Sequence, residues 1–107
     1  MEPVFDVRMF ETADGGAPFE DWFMGIRDRK TRSRIEAHID RLSLGNFSNC
    51  EPAREGVSEL KINFGPGYRV YFGKDGGTLV ILLMGGMKDT QDTDMKLARK
   101  YWREYNA

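Results

Sequence analysis

The sequence predicts a single α+β domain spanning residues 1–107. Two observations carry this prediction: apolar residues alternate along residues 57–72, as in strands, and they recur every three or four positions nearer both ends, as in amphipathic helices. A continuous apolar run at residues 78–84 adds a strand that is covered on both faces. The predicted order is β-α-α-β-β-β-α, with a small, twisted, mainly antiparallel sheet, two helices packed on one face and a C-terminal helix.

Composition narrows the class of protein. Hydrophobic residues make up 40% of the chain and charged residues 31%, which is enough apolar surface for one modest core. The net charge of −1, from 16 basic and 17 acidic residues, gives no overall attraction to nucleic acid. The single cysteine, Cys50, excludes an internal disulfide and a cysteine-rich zinc site. With neither a membrane-length apolar run nor a signal-peptide pattern, we expect a cytoplasmic protein without membrane contact, cofactor or metal.

The first half of the chain predicts one strand and two helices. Residues 4–10 alternate weakly and are predicted to be the first strand. Pro18 suits the first turn of a helix, whose apolar stripe recurs at helical spacing. A second helix is predicted from about Lys30 to Leu44, and residues 46–55, which contain Pro52 and have no period, are predicted to be a loop. The inward-facing residues of the two helices are Phe19, Trp22, Phe23 and Ile26, then Ile35, Ile39 and Leu42; the second helix turns Arg32, Arg34 and Arg41 outward.

The second half predicts a three-stranded meander followed by a helix. The turns fall at Gly65–Gly67 and at residues 74–77, where glycine and proline favour chain reversal. Asp89 or Thr90 is the predicted N-cap of the last helix. The predicted core contains Leu60, Ile62, Val70, Phe72 and Ile81, with the helices packed against this apolar face. The opposite face, predicted to be open and therefore available for function, carries Lys61, Asn63, Arg69 and Tyr71.

Three strings of sequence together resemble a known family. They are Gly45-Asn46-Phe47, then GVSELKINFGPGYRVYFG at residues 56–73, then GGMKDTQ at residues 85–91. In this order and spacing the chain resembles the small phage-derived HigB-like toxins, or addiction module killer proteins, of the RelE/ParE superfamily. The resemblance begins near Phe19 and covers nearly the whole chain. It implies a RelE/ParE-like fold and a type II toxin–antitoxin system.

The resemblance also implies partners and two possible activities. RelE-like members cut messenger RNA in the ribosomal A site, whereas ParE-like members poison gyrase on the same fold, and fold alone does not decide between them. The implied partners are the ribosome with its mRNA and a cognate antitoxin, a helix-turn-helix DNA-binding protein through which the toxin meets DNA only indirectly. We expect the antitoxin to cover the toxin or keep it from the ribosome rather than unfold it.

The candidate catalytic residues are Arg69, Lys61, Lys88 and Tyr71. The resemblance implies that Arg69 supports catalysis and that Lys88 occupies a basic position of RelE-like toxins. The residues themselves allow the same roles, since an arginine can hold phosphate bidentately and a lysine beside a helix N-terminus can contact it. Lys61 is the candidate proton donor or phosphate clamp. The alternatives are an ion pair between Arg69 and Glu59 and ordinary solvated lysines.

The chain departs from RelE-like nucleases in two places. Asn63 stands on a strand where those enzymes carry several basic residues, and their C-terminal catalytic tyrosine has no clear match, so Tyr71 is the candidate substitute. No histidine or carboxylate pair has an obvious acid–base spacing. The cleavage that the resemblance implies is metal-independent, by attack of the ribose 2′-hydroxyl. The candidate RNA- and ribosome-binding residues are Arg32, Arg34, Arg41 and Asn63.

The expected function is therefore a ribosome-dependent mRNA endonuclease that inhibits translation. One alternative is a non-nuclease toxin that inhibits gyrase or another target by binding. The other is a degenerate toxin that acts only as the partner of its antitoxin.

Overall fold

Residues 4–107, the part of the chain that the computed structural model describes, form five strands and three α-helices. The first three residues of the predicted domain lie outside this range. In chain order the elements are β1 (Asp6–Met9), α1 (Pro18–Met24), α2 (Arg29–Ser43), β2 (Cys50–Pro52), β3 (Val57–Ile62), β4 (Tyr68–Asp75), β5 (Leu79–Met87), a 3₁₀ turn (Lys88–Thr90) and α3 (Gln91–Tyr105).

One mixed sheet, in the order β1-β5-β4-β3-β2, runs through the domain. The pairs β2–β3, β3–β4 and β4–β5 are antiparallel, and the pair β1–β5 is parallel. The predicted α+β class is confirmed, but the predicted strand count is wrong by one. Residues 46–55 are not all loop, because β2 lies within them. Three residues at a sheet edge show no period of their own, and Pro52 is tolerated there because an edge strand leaves one row of amide groups unpaired.

The first face of the sheet is covered by α1 and α2. Leu60, Ile62, Val70 and Phe72 are buried there, as predicted, against Phe19 of α1 and Ile35 and Leu42 of α2. Trp22, Phe23 and Ile39 are half-buried and pack on the same cluster. Asp28 caps α2 by accepting a hydrogen bond from the backbone N–H of Lys30, 3.3 Å away.

The second face of the sheet is covered by α3, so the prediction of an open polar face is wrong. Ala98 is fully buried against this face, and Met95, Tyr101 and Trp102 pack around it. Ile81 is buried here with Tyr71 rather than with the helices of the first face, which corrects its predicted position. The second face is covered because α3 has an apolar side, which is buried by packing against β4 and β5.

A register irregularity in β5 sets where α1 and α3 approach the sheet. Tyr71 pairs with Met84 and Phe72 with Leu82, which leaves Leu83 without a partner on β4. Beyond this bulge Gly85 lies against the indole ring of Trp22 and Gly86 against the carboxylate of Asp94. An added Cβ at Gly85 would overlap the indole ring, and one at Gly86 would force the Asp94 carboxylate to move. Within residues 4–107 no helix has the length and hydrophobicity that a bilayer crossing requires.

Candidate functional site

A shallow groove of about 360 Å³ lies where the turn between β3 and β4 meets the end of β5. We call it the turn groove; its lining residues are Asn63, Phe64, Gly65, Pro66, Gly67, Arg69 and Lys88. Gly65 and Gly67 have φ values of 57° and 84°, which glycine adopts without strain. The backbone N–H of Lys88 donates to the carbonyl of Gly67 at 2.8 Å and holds the two sides together.

Arg69 reaches the groove from a buried position. The residue is 5% exposed, so the expectation of an exposed strand arginine is wrong. Its Nε lies 3.9 Å from Oε1 of Glu59, which is an ion pair but not a hydrogen bond. Its Nη1 donates to the backbone carbonyl of Tyr68 at 3.1 Å. Nε is buried without a hydrogen-bond partner among the described residues, so the guanidinium keeps unused donor capacity.

Glu59 links this arginine to α3. The carboxylate is 3% exposed, and its Oε2 accepts a hydrogen bond of 2.6 Å from Nε2 of Gln91. Gln91 is the first residue of α3 and lies three positions after Lys88, so this contact ties both sides of the groove to one helix end. The sequence reasoning missed Gln91. Its only signal was its place in the string GGMKDTQ, because no local rule relates residues 32 positions apart.

Tyr71 lies on the same sheet face as Arg69 but is fully buried under α3. Burial raises the pKa of its phenol, and the nearby carboxylates of Glu59 and Asp94 raise it further. The hydroxyl has no hydrogen-bond partner among the described residues. A phenol without solvent access cannot touch a substrate in this structure, so the expectation that Tyr71 lies open beside Arg69 is wrong.

The remaining predicted catalytic residues surround Arg69. Lys61 is directly opposite Arg69 in the β3 and β4 pairing, is half-buried, and makes an ion pair of 2.9 Å with Glu51 of β2. Lys88 and Asn63 are exposed and line the turn groove. The structure therefore brings Arg69, Lys88 and Asn63 to one surface and leaves Lys61 beside it with its charge compensated.

The three arginines of α2 predicted to bind RNA make different contacts. Arg32 donates from Nη1 to the backbone carbonyl of Ile26, so it fixes the loop between α1 and α2. Arg34 lies over the ring of Phe64, with its guanidinium carbon 4.3 Å from the ring centroid. Arg41 is exposed near the other end of α2. Of the three, Arg34 alone contacts a residue that lines the turn groove.

The chemistry of the turn groove follows from its lining. Lys88 is cationic, Arg69 is cationic but paired with the buried carboxylate of Glu59, and Asn63 is a neutral amide; the lining itself includes neither a carboxylate nor an imidazole. Such a surface attracts an anion and can contact phosphate oxygens with an arginine fork and an ammonium group. The lining includes no histidine, carboxylate or phenol, the side chains that most often act as general base beside lysine.

Together, fold and groove define a small α+β domain with a groove lined by Arg69 and Lys88 at one end of its sheet. No known family model matches the chain. An uncharacterized protein of Haemophilus influenzae (strain ATCC 51907 / DSM 11121 / KW20 / Rd) is 43% identical over 81 residues, which cover 76% of this chain and 82% of that protein. The chain belongs to the same family as this Haemophilus protein.

Proposed function

We propose that this chain is the toxin of a type II toxin–antitoxin pair and acts in the cytoplasm as a RelE/ParE-like, ribosome-dependent mRNA endonuclease. The observation that supports this most is the meeting of Arg69, Lys88 and Asn63 in the turn groove. The family resemblance implies that Arg69 supports catalysis and that Lys88 occupies a basic position of RelE-like toxins. They lie 19 positions apart in the chain, and the fold brings them to one surface.

The proposed reaction is an internal transfer at one phosphodiester. The ribose 2′-oxygen bonds to the adjacent phosphorus, its proton leaves to a base, the bond from phosphorus to the 5′-oxygen breaks, and that oxygen takes up a proton. The products are a 2′,3′-cyclic phosphate and a 5′-hydroxyl. Arg69 and Lys88 stabilise the extra negative charge that builds on the phosphoryl oxygens.

The proposed dependence on the ribosome follows from the residue types that are missing from the groove lining. Because its lining includes no histidine, carboxylate or phenol, we propose that the ribosome orients the 2′-hydroxyl for in-line attack and that proton transfer occurs there. Orientation alone can lower a barrier by roughly 7–11 kcal/mol. Free RNA should therefore be cut very slowly. Tyr71 has no place in this proposed contact surface, since its side chain is fully buried.

The same absence of a histidine, carboxylate or phenol from the groove lining favours a second candidate function, a toxin that binds and blocks gyrase or another target without cutting RNA. In either case we propose a helix-turn-helix antitoxin that neutralises by covering the turn groove or by keeping the toxin from the ribosome. An acidic antitoxin segment would match the charges of Arg69 and Lys88.

The test is induced expression in bacterial cells, with mRNA 5′ ends and plasmid supercoiling followed in parallel. Codon-spaced cuts with unchanged supercoiling support the endonuclease. Loss of supercoiling with intact mRNA supports the gyrase-directed alternative, and growth without arrest contradicts both. Lys88→Ala should remove cutting at unchanged thermal stability, because Lys88 is exposed. Lys96→Ala is the matched control, an exposed lysine of α3 outside the groove lining.

A further inference from the structure

Arg34 and Phe64 form a stacked pair at the rim of the turn groove. The guanidinium carbon of Arg34 lies 4.3 Å from the centroid of the Phe64 ring, within the range of a cation–π contact. Arg34 is exposed and Phe64 is half-buried, so the pair lies at the protein surface.

Phe64 is held in place by the core behind it. The side chain packs on the cluster of buried residues that α1, α2 and the first sheet face share. The same side chain also lines the turn groove together with Arg69 and Lys88. The Phe64 ring is therefore fixed by the core and lies between the guanidinium of Arg34 and the turn groove with its cationic residues.

We propose that the Arg34–Phe64 pair is a stacking site for a nucleobase of single-stranded RNA, and this inference rests on the proposed function. When a backbone phosphate occupies the groove, a neighbouring base lies within reach of the pair and stacks on the guanidinium plane. Arginine planes and aromatic rings are the usual partners of unstacked RNA bases. The ligand is a single strand, because the bases of a duplex are already stacked on one another. The site is tolerant of sequence, since every base has a π-face.

The probe is a 2′-O-methyl uridine trinucleotide, which lacks the nucleophilic hydroxyl, compared with the same molecule carrying an abasic central residue. Both are titrated into the intact chain and followed by NMR at the Phe64 ring and the Arg34 side chain. We expect the complete trinucleotide to bind about tenfold more tightly than the abasic one, the size of one stacking contact. Ring-current shifts at both side chains should accompany only the complete molecule.

Variants separate stacking from charge. Arg34→Ala should remove the difference between the two probes. Arg34→Lys should keep the affinity for the abasic probe but lose most of the difference, because an ammonium group has no plane to stack. Arg29→Ala removes an exposed arginine of the same helix outside the groove lining and should keep the difference. Phe64→Leu, checked for an unchanged melting temperature, should act like Arg34→Ala.

The two kinds of failure are distinct. If the wild-type chain binds both probes equally, the stacking site is overturned while the phosphate groove stands. If neither probe shifts the groove resonances, the chain does not bind free single-stranded RNA at this groove and the stacking site is overturned, whereas the proposed function is decided separately by the mapping of mRNA ends in cells. A difference that survives Arg34→Ala would move the stacking site elsewhere on the chain and overturn the assignment.

Discussion

Glu59 and Arg69 form an ion pair in the interior of this domain, with Nε and Oε1 3.9 Å apart and both side chains more than nine-tenths buried. They are diagonal neighbours on β3 and β4, because Glu59 pairs with Tyr71 and Lys61 with Arg69. Gln91 closes the arrangement by donating to the second carboxylate oxygen at 2.6 Å. Arg69, which we propose contacts phosphate, is thus positioned by Glu59 of β3, and Glu59 in turn by Gln91 of α3.

Because the pair is buried, replacing Arg69 should affect stability as well as activity. Arg69→Ala leaves the carboxylate of Glu59 without its cation, which we expect to cost about 3–5 kcal/mol of unfolding free energy. Loss of toxicity in this variant would therefore not by itself place Arg69 in the site. The measurement is urea unfolding of the purified variant beside its growth-arrest phenotype.

The double variant Glu59→Gln with Arg69→Ala resolves this ambiguity. A neutral amide at position 59 can still accept a hydrogen bond from Gln91 and carries no buried charge, so most of the lost stability should return. Toxicity should remain lost. A double variant that is stable and fully toxic would remove Arg69 from the proposed site.

Because the Tyr71 hydroxyl is buried, we expect that its removal does not lower the stability of the domain. Tyr71→Phe removes a polar atom that has no hydrogen-bond partner among the described residues, so the unfolding free energy should change by less than about 1 kcal/mol or rise. Toxicity should be unchanged, and a nontoxic but stable Tyr71→Phe would restore Tyr71 as a candidate catalytic group.

Tyr71 also predicts how stability depends on alkaline pH. Its pKa in the folded chain is raised above the ordinary value of 10.0. Above pH 10 the unfolded chain loses this proton first, so the folded chain binds more protons and its stability falls as the pH rises. Chemical unfolding between pH 8 and 11 should show a smaller decline in Tyr71→Phe than in the wild type. Equal declines would mean that the phenol ionises as easily in the folded chain as in the unfolded one.

The contact between Gly85 and Trp22 predicts that a single methyl group is not tolerated. Gly85→Ala places a Cβ inside the indole ring, and the repacking should cost about 1–3 kcal/mol. Trp22→Leu in the same chain should recover part of that loss by making room. Gly77→Ala is the control, because a Cβ there meets nothing within 4 Å. Equal melting temperatures for Gly85→Ala and Gly77→Ala would contradict this packing.

Phe72 tests the core of the first sheet face. The side chain is fully buried and stacks on Phe47 with ring centroids 6.1 Å apart. Phe72→Ala should lower the unfolding free energy by about 3–5 kcal/mol, through lost burial and the cavity left behind. Met24→Ala, at a residue 63% exposed, should change it by less than about 0.5 kcal/mol. A loss below about 1 kcal/mol for Phe72→Ala would mean that this face is not the main core.

The sequence by itself determined the class of fold and most of the first core, because both depend on local periodicity. Alternation put Leu60, Ile62, Val70 and Phe72 on one face, and helical spacing put Ile35 opposite them, as the structure confirms. The same alternation put Lys61 and Arg69, which are paired in the register, on the other face of β3 and β4. A periodic pattern indicates on which face of a strand a side chain lies, and this was sufficient to assign these residues to a face of the sheet.

Only the tertiary structure decided what lies above each face. A pattern cannot report that α3 folds back over Tyr71, or that a bulge at Leu83 turns Gly86 toward Asp94, because both depend on residues distant in the chain. β2 escaped prediction for the same reason, since three residues become a strand only when β3 is beside them. The burial of Arg69, its pairing with Glu59 and the reach of Gln91 over 32 positions are likewise products of packing, in which non-local contacts outweigh local propensity.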